Sequence, residues 1–542
     1  MNGKDAEGNP FIAIKENGSS YIDKTRLISE MLSRNDRGVY QIVRPRGFGK
    51  TTNLSMMDAF FNIRYEGNHW FDGLEISDHP EFDRFRNAFP VINLDMKDVR
   101  GDDKDLFYET MGEAVTAAFK EHEYILDSPV MRDYQRKRIE RCLNGSSERF
   151  LLDLEIKNLC GLLEEHHGKH VVILIDEGYR MLSEGYGTEA FPKIAEYLDD
   201  MYCCLLKGND YLQLGCIVGP AEIAKESIGT SFNNVIPDNI FSSHYDDAFG
   251  FTKDEAAEIL SDHGHPEKID EAILWYGGYR IGEKELINPS SLMGYISNGF
   301  VPGIYMDGAK NDRLIANPIA DMDEDTCAGI LRIISRGSVS MGDDIRVRYT
   351  EYGNPVNKLY RTMISAGCLR AVRTEDRWCI ISIPNCEVSA VVDAIIDGLG
   401  PVDRHMYVEF RDAILEADET RAESVLKRIA DGFADRTDDR PFYHTMAALV
   451  NALQKEYVIT AKRDWYSEGT IIALKPKADG TSPLIIVFVK TTLEIQDQSA
   501  ERKWMKDVGS SSELAPGTPL AVVSMPDRTP KVRITKSPMK SD

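Results

Sequence analysis

The stretch Val39-Tyr40-Gln41-Ile42-Val43-Arg44-Pro45-Arg46-Gly47-Phe48-Gly49-Lys50-Thr51-Thr52 decides the fold. Its first five residues are an apolar run with the length of a buried strand. The residues that follow, Asn53 to Phe61, carry apolar side chains at helical spacing. Strand, glycine-rich turn, Gly-Lys-Thr and helix together make a phosphate-binding P-loop. In such a loop, free backbone N–H groups and the positive end of the helix converge on an anion. Arg46, Gly47, Phe48, Gly49, Lys50, Thr51 and Thr52 are therefore the expected nucleotide-binding residues. The loop is irregular, because Arg44 stands where the usual motif has its first glycine. Arg44 and Arg46 read either as solvated loop charges or as guanidinium contacts to the phosphates.

Magnesium chemistry at such a loop needs an acidic partner at the end of an apolar strand. Val171-Val172-Ile173-Leu174-Ile175-Asp176-Glu177 supplies it. The expected roles follow from side-chain chemistry. Lys50 neutralises the β- and γ-phosphates, the Thr51 hydroxyl and Asp176 hold Mg²⁺, and Glu177 orients or deprotonates the attacking water. Either half of this signal alone has a bland reading. A Gly-Lys-Thr string arises by chance, and an apolar run ending in Asp-Glu often just closes a strand.

Composition narrows the classes. A chain of 542 residues predicts two to four domains, and 42% hydrophobic with 28% charged residues is ordinary for a soluble globular protein. The longest apolar runs, Val171 to Ile175 and Leu484 to Val489, are far short of a membrane span, and no apolar signal segment opens the chain. Nine scattered cysteines without a Cys-x-x-Cys pair predict a reducing, cytoplasmic setting. The net charge of −24 does not support a general affinity for nucleic acid. Residues 441–542 come closer to balance, with 14 Lys and Arg against 11 Asp and Glu, which permits nucleic-acid contact there without arguing for it.

From about residue 10 to 250, strand-like runs alternate with helical patterns. Val39–Val43, Pro90–Leu94, His170–Ile175 and Tyr211–Val218 are the strand candidates, and their alternation with helices predicts a parallel α/β sheet. From 251 to 436 the pattern is mostly helical: Lys253–His263, Lys268–Tyr276, Glu324–Ile334, Asn357–Ala366 and Val388–Leu399. A hairpin over Cys368–Pro384 makes this middle region winged-helix-like. Residues 437–542 predict one helix, His444–Tyr457, and four strands, Glu468–Leu474, Leu484–Val489, Leu520–Val523 and Lys531–Thr535.

Tyr21-Ile22-Asp23-Lys24-Thr25, the loop at 44–51 and Ile173–Glu177 together resemble the bacterial and archaeal AAA-ATPase-like family, whose members usually carry a C-terminal PD-(D/E)XK nuclease domain. Further matches to its pattern are Lys225-Glu226-Ser227, Phe232-Asn233-Asn234, Phe249-Gly250-Phe251-Thr252, Trp275-Tyr276-Gly277-Gly278-Tyr279, Asn288-Pro289-Ser290-Ser291 and Ile383-Pro384-Asn385-Cys386-Glu387-Val388. The resemblance spans nearly the whole chain and is most specific in the first 300 residues. It makes Arg44 a family variant, and it implies ATP and Mg²⁺ as ligands. Two departures matter. Gly178-Tyr179-Arg180 follows Glu177 where the family continues its acidic strand as Asp-Glu-Tyr-Asp, and Glu222 stands where the family has an arginine. A carboxylate at that position repels a γ-phosphate, so binding with slow or absent hydrolysis is expected.

The nuclease likeness implies a metal-binding acid on one strand and acid-x-Lys on the next. Lys490 fits, but Phe488 occupies the acid position and Ile471 the place of the metal-binding Asp. Asp464 matches the family's leading Glu, and Glu468 and Glu494 are the nearest acids that a migrated site would use. Loss of both ligands predicts a nuclease-like fold without activity.

Three clusters carry paired readings. Tyr21–Thr25 suits the adenine or ribose site, or a helix start with Asp23 as N-cap. Glu164-Glu165-His166-His167 suits a solvated helix end better than a metal site, since adjacent histidines do not share a helix face. Trp275–Tyr279 suits a core contact against the ATPase sheet better than base stacking. The expected protein is thus an ATP-binding P-loop protein with weak or switch-like ATPase activity and an unidentified protein partner. The alternatives are a non-catalytic interaction module with a structural P-loop and an active ATP- and Mg²⁺-dependent DNA nuclease.

Overall fold

Parallel strands covered on both faces need near-continuous apolar runs, and the strands of the first sheet have them. In a computed structural model of the chain, β1 (Val39–Val43), β2 (Val91–Asp95), β3 (Val171–Asp176), β4 (Leu212–Gly219) and β5 (Ile236–Asp238) lie in the order β2-β3-β4-β1-β5, all parallel. The structure describes residues 8–306 apart from 19, 146–150, 186–187 and 221–234. It then describes 324–536 apart from 335–337, 347–354, 375–376, 398–403, 432–439, 454–455, 465–468, 478–481, 490–517 and 525–530. The four expected strands are present within a residue or so of their expected bounds. β5 was not expected: three residues with a central proline give no apolar run, and the strand survives as an edge, where a missing N–H is tolerated.

The period-2 alternation of β3 divides its side chains between two layers. Val172 and Leu174 pack with Met56, Met57 and Phe60 of the helix Lys50–Phe61. Ile173 and Ile175 face the other way, onto Phe107, Met111, Ile156 and Leu198 from the helices Lys104–Glu121, Leu152–His167 and Phe191–Tyr202. The P-loop helix is thus buried nearly all round, which explains why its apolar residues crowd rather than form one stripe.

Beyond the sheet, Thr252 and Glu255 form a capping box that starts the helix Lys253–Asp262. The helix Ile269–Tyr276, the hairpin β6 (Tyr279–Ile281) and β7 (Lys284–Leu286), and the helix Pro289–Ser297 follow. The middle region then runs helix Glu324–Ile334, β8 (Val339–Gly342), helix Pro355–Ser365, β9 (Arg370–Arg373), β10 (Trp378–Ser382) and helix Cys386–Asp397. The expected hairpin is β9–β10. It gains β8 as a third antiparallel strand, in the order β8-β10-β9, completing a winged-helix-like arrangement of helices and a small sheet.

The C-terminal part differs from expectation at one place. The helix spans Arg440–Leu453, and Tyr457–Asp464, which begins on the last residue of the expected helix, is a strand, β11. Tyr457 and Ile459 are buried and Val458 exposed, the alternation of a strand. β11 pairs with β12 (Gly469–Pro476), then β13 (Leu484–Val489), β14 (Pro519–Ser524) and β15 (Lys531–Lys536), antiparallel except between β13 and β14. One apolar cluster runs without a break from Phe11, through the middle region, to Val532. Among the described residues no helix is long and apolar enough to cross a membrane.

Candidate functional site

Gly47 and Gly49 allow the chain to turn between β1 and its helix. Both have positive φ, +79° and +76°, where a Cβ is strained. Gly49 is the N-cap of the helix Lys50–Phe61, and a Cβ at Gly47 would lie 2.6 Å from the Asn288 side chain. Around this turn lies a cavity of about 1080 Å³. Arg46, Gly47, Phe48, Gly49, Lys50, Thr51 and Thr52 all line it, as do Asp176 and Glu177.

The strand order brings the two halves together. β4 lies between β1 and β3, and the carboxyl end of β3 is aimed at the first turn of the P-loop helix. The Thr51 hydroxyl donates to Asp176 Oδ2 at 2.6 Å. Lys50 Nζ donates to Pro45 O at 3.1 Å and lies 3.8 Å from Glu177 Oε1. Glu177 has φ +53°, a left-handed turn on a non-glycine residue that bends the chain sharply after the strand. Its N–H donates to Asp176 Oδ1 at 2.9 Å. Burial pulls the Lys50 ammonium below the usual lysine range, against the pull of Glu177 and Asp176. Burial also pushes the Asp176 carboxyl up. The Thr51 hydrogen bond and Lys50 oppose that rise, while Glu177 and Asp95 add to it.

Arg44 does not serve the phosphates. Its side chain is fully buried, pairs with Asp238 at the end of β5, and donates to Val43 O at 2.9 Å and Tyr245 O at 3.1 Å. The guanidinium is a clamp between β1 and β5, not a ligand. The Phe48 side chain also turns away from the cavity mouth into the core, edge-on to Tyr279 at 5.0 Å, so this residue offers its backbone. Arg46 remains on the cavity wall.

Tyr21 and Lys24 line the same cavity. The Tyr21 hydroxyl donates to Met56 Sδ at 3.1 Å, and Lys24 donates to Asp247 O and Glu255 Oε1, both at 2.6 Å. Asp23 serves the turn from beside it rather than as N-cap. Thr25 is the residue at the helix start, and Asp23 accepts from the Thr25 N–H and hydroxyl. His166 and His167 lie in the last turn of their helix before Gly168, bonded to Ser128 and Tyr124. Tyr276 and Tyr279 are buried core residues. Glu222 and the segments Lys225–Ser227 and Phe232–Asn234 lie outside the described residues, as do Glu468, Lys490 and Glu494.

Residues 9–229 match the model of the AAA-ATPase-like family, described as a predicted AAA-ATPase. This part of the chain has the fold of a P-loop NTPase. No curated protein matches the chain. Among solved structures, the Aeropyrum pernix ORC2 protein, determined as ADPNP–ADP complexes, aligns over 69% of this chain and 92% of its own at 12% identity with a TM-score of 0.26, a likeness too slight to carry an argument.

Sequence reading missed Asp95, Lys97 and Asn288 as site residues. Asp95 ends β2, sits opposite Asp176 in the parallel register and lines the cavity, held by Lys97 Nζ at 2.8 Å. An apolar run ending in Asp was the available signal, but only the sheet order shows that this strand neighbours β3. Asn288 donates to Arg46 O at 3.2 Å, and the Ser290 N–H donates to Gly47 O at 3.1 Å.

The site fits a magnesium nucleotide in its donor chemistry. A hydroxyl and a carboxylate oxygen already meet at hydrogen-bond distance, the hard oxygen pair such a cation takes. A buried ammonium stands beside them, and a Cβ at Gly49 meets nothing within 4 Å, leaving room above the loop. Because the Asp176 carboxyl is pushed up, protons compete for it at a higher pH than for an ordinary aspartate. Mg²⁺-dependent nucleotide binding is expected to weaken on going from about pH 7 to about pH 5, sooner than an ordinary carboxylate predicts. Titrations in this range check it, and Asp176→Asn should flatten the dependence.

Proposed function

We propose that the chain binds ATP with Mg²⁺ at the P-loop, hydrolyses it slowly, and uses the nucleotide state to govern a C-terminal nuclease-like domain that has lost its own chemistry. The convergence of Lys50, Thr51, Asp176 and Glu177 on one cavity wall carries this reading. Backbone N–H groups of residues 47–51 and the Lys50 ammonium would receive the β- and γ-phosphates. Thr51 and Asp176 would hold Mg²⁺, which supplies charge neutralisation of the phosphate oxygens when bound. Glu177, at the mouth of the same wall and within reach of Lys50, would orient or deprotonate water. Tyr21 and its neighbours would receive the base and ribose.

The division of labour is a nucleotide domain over 10–250, a lid and middle region over 251–436, and the nuclease-like part over 437–542. A helix, a three-strand meander and a parallel fourth strand support the last assignment. Its inactivity is supported by the residues at the expected acid positions. Ile471 pairs with Val487 and Thr470 with Phe488 across β12 and β13, none of them an acid, and the Phe488 side chain is buried. An unidentified protein is the expected partner; the charge balance does not favour nucleic acid.

Single-turnover hydrolysis tests the enzymatic part. Glu177→Gln is expected to slow hydrolysis by about 10²–10⁴-fold while leaving the affinity for a fluorescent ATP analogue nearly unchanged. A wild-type rate no faster than that of Lys50→Ala would remove the ATPase and leave a binding protein. Metal-dependent DNA cleavage that is lost in Lys490→Ala would overturn the inactive assignment.

A further inference from the structure

Four contacts grip the P-loop from its outer side, and none comes from the sheet. Arg46 O is held by Asn288, and Gly47 O by the Ser290 N–H. The Phe48 ring meets Tyr279 edge-on. A Cβ on Gly367 would lie 3.3 Å from Pro45 Cβ, so the turn after the helix Pro355–Ser365 sits directly against the loop.

Tyr279 joins these contacts. It begins β6, is buried, and its hydroxyl donates to Gly367 O at 3.0 Å while its ring packs on Phe48. The two residues before it are fixed to the opposite partner. Asn385 Nδ2 donates to Gly277 O at 2.8 Å. Gly278, at φ +79°, approaches Pro384 so closely that a Cβ would lie 2.3 Å from the Pro384 carbonyl oxygen. Two residues beyond Asn385, the buried Glu387 accepts from the Tyr305 and Met306 N–H groups at 2.6 and 2.8 Å, and Met306 lines the nucleotide cavity. The segments Trp275–Tyr279 and Ile383–Val388, which sequence pattern singles out, therefore meet at one seam between the P-loop and the middle region.

We propose that Tyr279 is a positioning residue that ties the P-loop to the unit spanning 324–397, so that filling the nucleotide site and seating that unit are one coupled equilibrium. The proposal rests on the nucleotide-binding reading and adds its route of regulation. Close packing makes such a seam bistable rather than elastic: a loop that shifts to receive phosphates carries the Phe48 ring with it, and Tyr279 cannot keep both Phe48 and Gly367 unless the turn at 366–369 follows.

Hydrogen exchange of the full chain, with and without a saturating non-hydrolysable ATP analogue and Mg²⁺, tests it. In the wild type the ligand is expected to slow exchange over 366–373 and 377–385 by about fivefold or more, the worth of one hydrogen bond. Tyr279→Phe keeps the ring on Phe48 and removes only the hydroxyl. It should bind the analogue within about twofold of wild type yet lose most of that slowing, a separation of affinity from coupling that a purely structural residue does not produce. Asn385→Asp retains the oxygen that caps its helix but loses the donor to Gly277 O, and it should uncouple in the same way. It provides the same reading should Tyr279→Phe fail to fold. Bound ligand with unchanged exchange in the wild type overturns the coupling alone, and slowing in both variants equal to wild type overturns the assignment of the seam. Absence of binding to the wild type overturns the nucleotide reading together with the proposal.

Discussion

Lys50→Ala is expected to lower affinity for Mg·ATP by about 10²–10³-fold, the largest effect on nucleotide binding expected of the substitutions proposed for this chain. The Lys50 ammonium is buried, with Pro45 O its hydrogen-bonded neighbour and Glu177 at 3.8 Å. Its remaining donors would serve phosphate oxygens, and charge-assisted contacts in a desolvated site are worth about 1.5–3 kcal/mol each. Two such contacts account for the expected loss. The fold should not suffer, since burial disfavours the ammonium in the empty site. The thermal midpoint of Lys50→Ala is therefore expected to equal or exceed that of wild type. The sign of the pH dependence follows from the same burial. The ammonium, pulled below the usual lysine range, loses its proton at a lower pH than an ordinary lysine, so wild-type affinity falls early as pH rises from about 8 to about 10, and that fall should be absent in Lys50→Ala. Isothermal titration of both proteins across this range decides the matter. Equal affinities would show that the loop does not bind nucleotide through this residue.

Asp238→Ala is expected to destabilise the N-terminal domain by about 3–5 kcal/mol, because it leaves the Arg44 guanidinium buried without a counter-charge. Arg44 and Asp238 are essentially inaccessible to solvent, and the Arg44 guanidinium sits 5.2 Å from the Phe249 ring centroid. Exchanging the pair together, Arg44→Met with Asp238→Leu, should recover most of the loss, since a buried ion pair is often no more stable than apolar residues of similar volume. Thermal unfolding of the two variants, with nucleotide titration on each, separates the roles. The single variant should also weaken binding, because Arg44 immediately precedes the loop and its N–H is bonded to Gly219 O at the end of β4. A midpoint of Asp238→Ala close to wild type would remove Arg44 from its assigned role as clamp.

Arg44 shows how far sequence reading reaches. Its place at the start of the P-loop was visible, and a guanidinium beside a phosphate site suggested a ligand. The partner that redirects it, Asp238, lies 194 residues away on a three-residue strand whose central proline hides it from any strand pattern. Phe48 lines the cavity as part of the loop, but the fate of its ring was not legible, because the Tyr279 that draws it into the core comes from a hairpin more than two hundred residues later. The sequence predicts a helix over His444–Tyr457, since the apolar spacing of Met446, Leu449, Val450 and Leu453 runs straight on to Tyr457. The chain changes to a strand once it can pair with β12.

What the sequence determined by itself was local. The strand–turn–helix of residues 39–61 follows from an apolar run, two glycines that tolerate positive φ and a helix that starts at Lys50, and the acid at the end of β3 follows from six apolar and acidic residues in a row. These features are set by interactions between near neighbours. The tertiary structure alone decided which of these local pieces meet. The insertion of β4 between β1 and β3 puts Thr51 against Asp176, the pairing of β2 with β3 adds Asp95, and the packing of β6 and the 366–369 turn closes the outer side of the loop. Those choices depend on contacts between residues far apart in the chain, whose free energy exists only once the layers have come together.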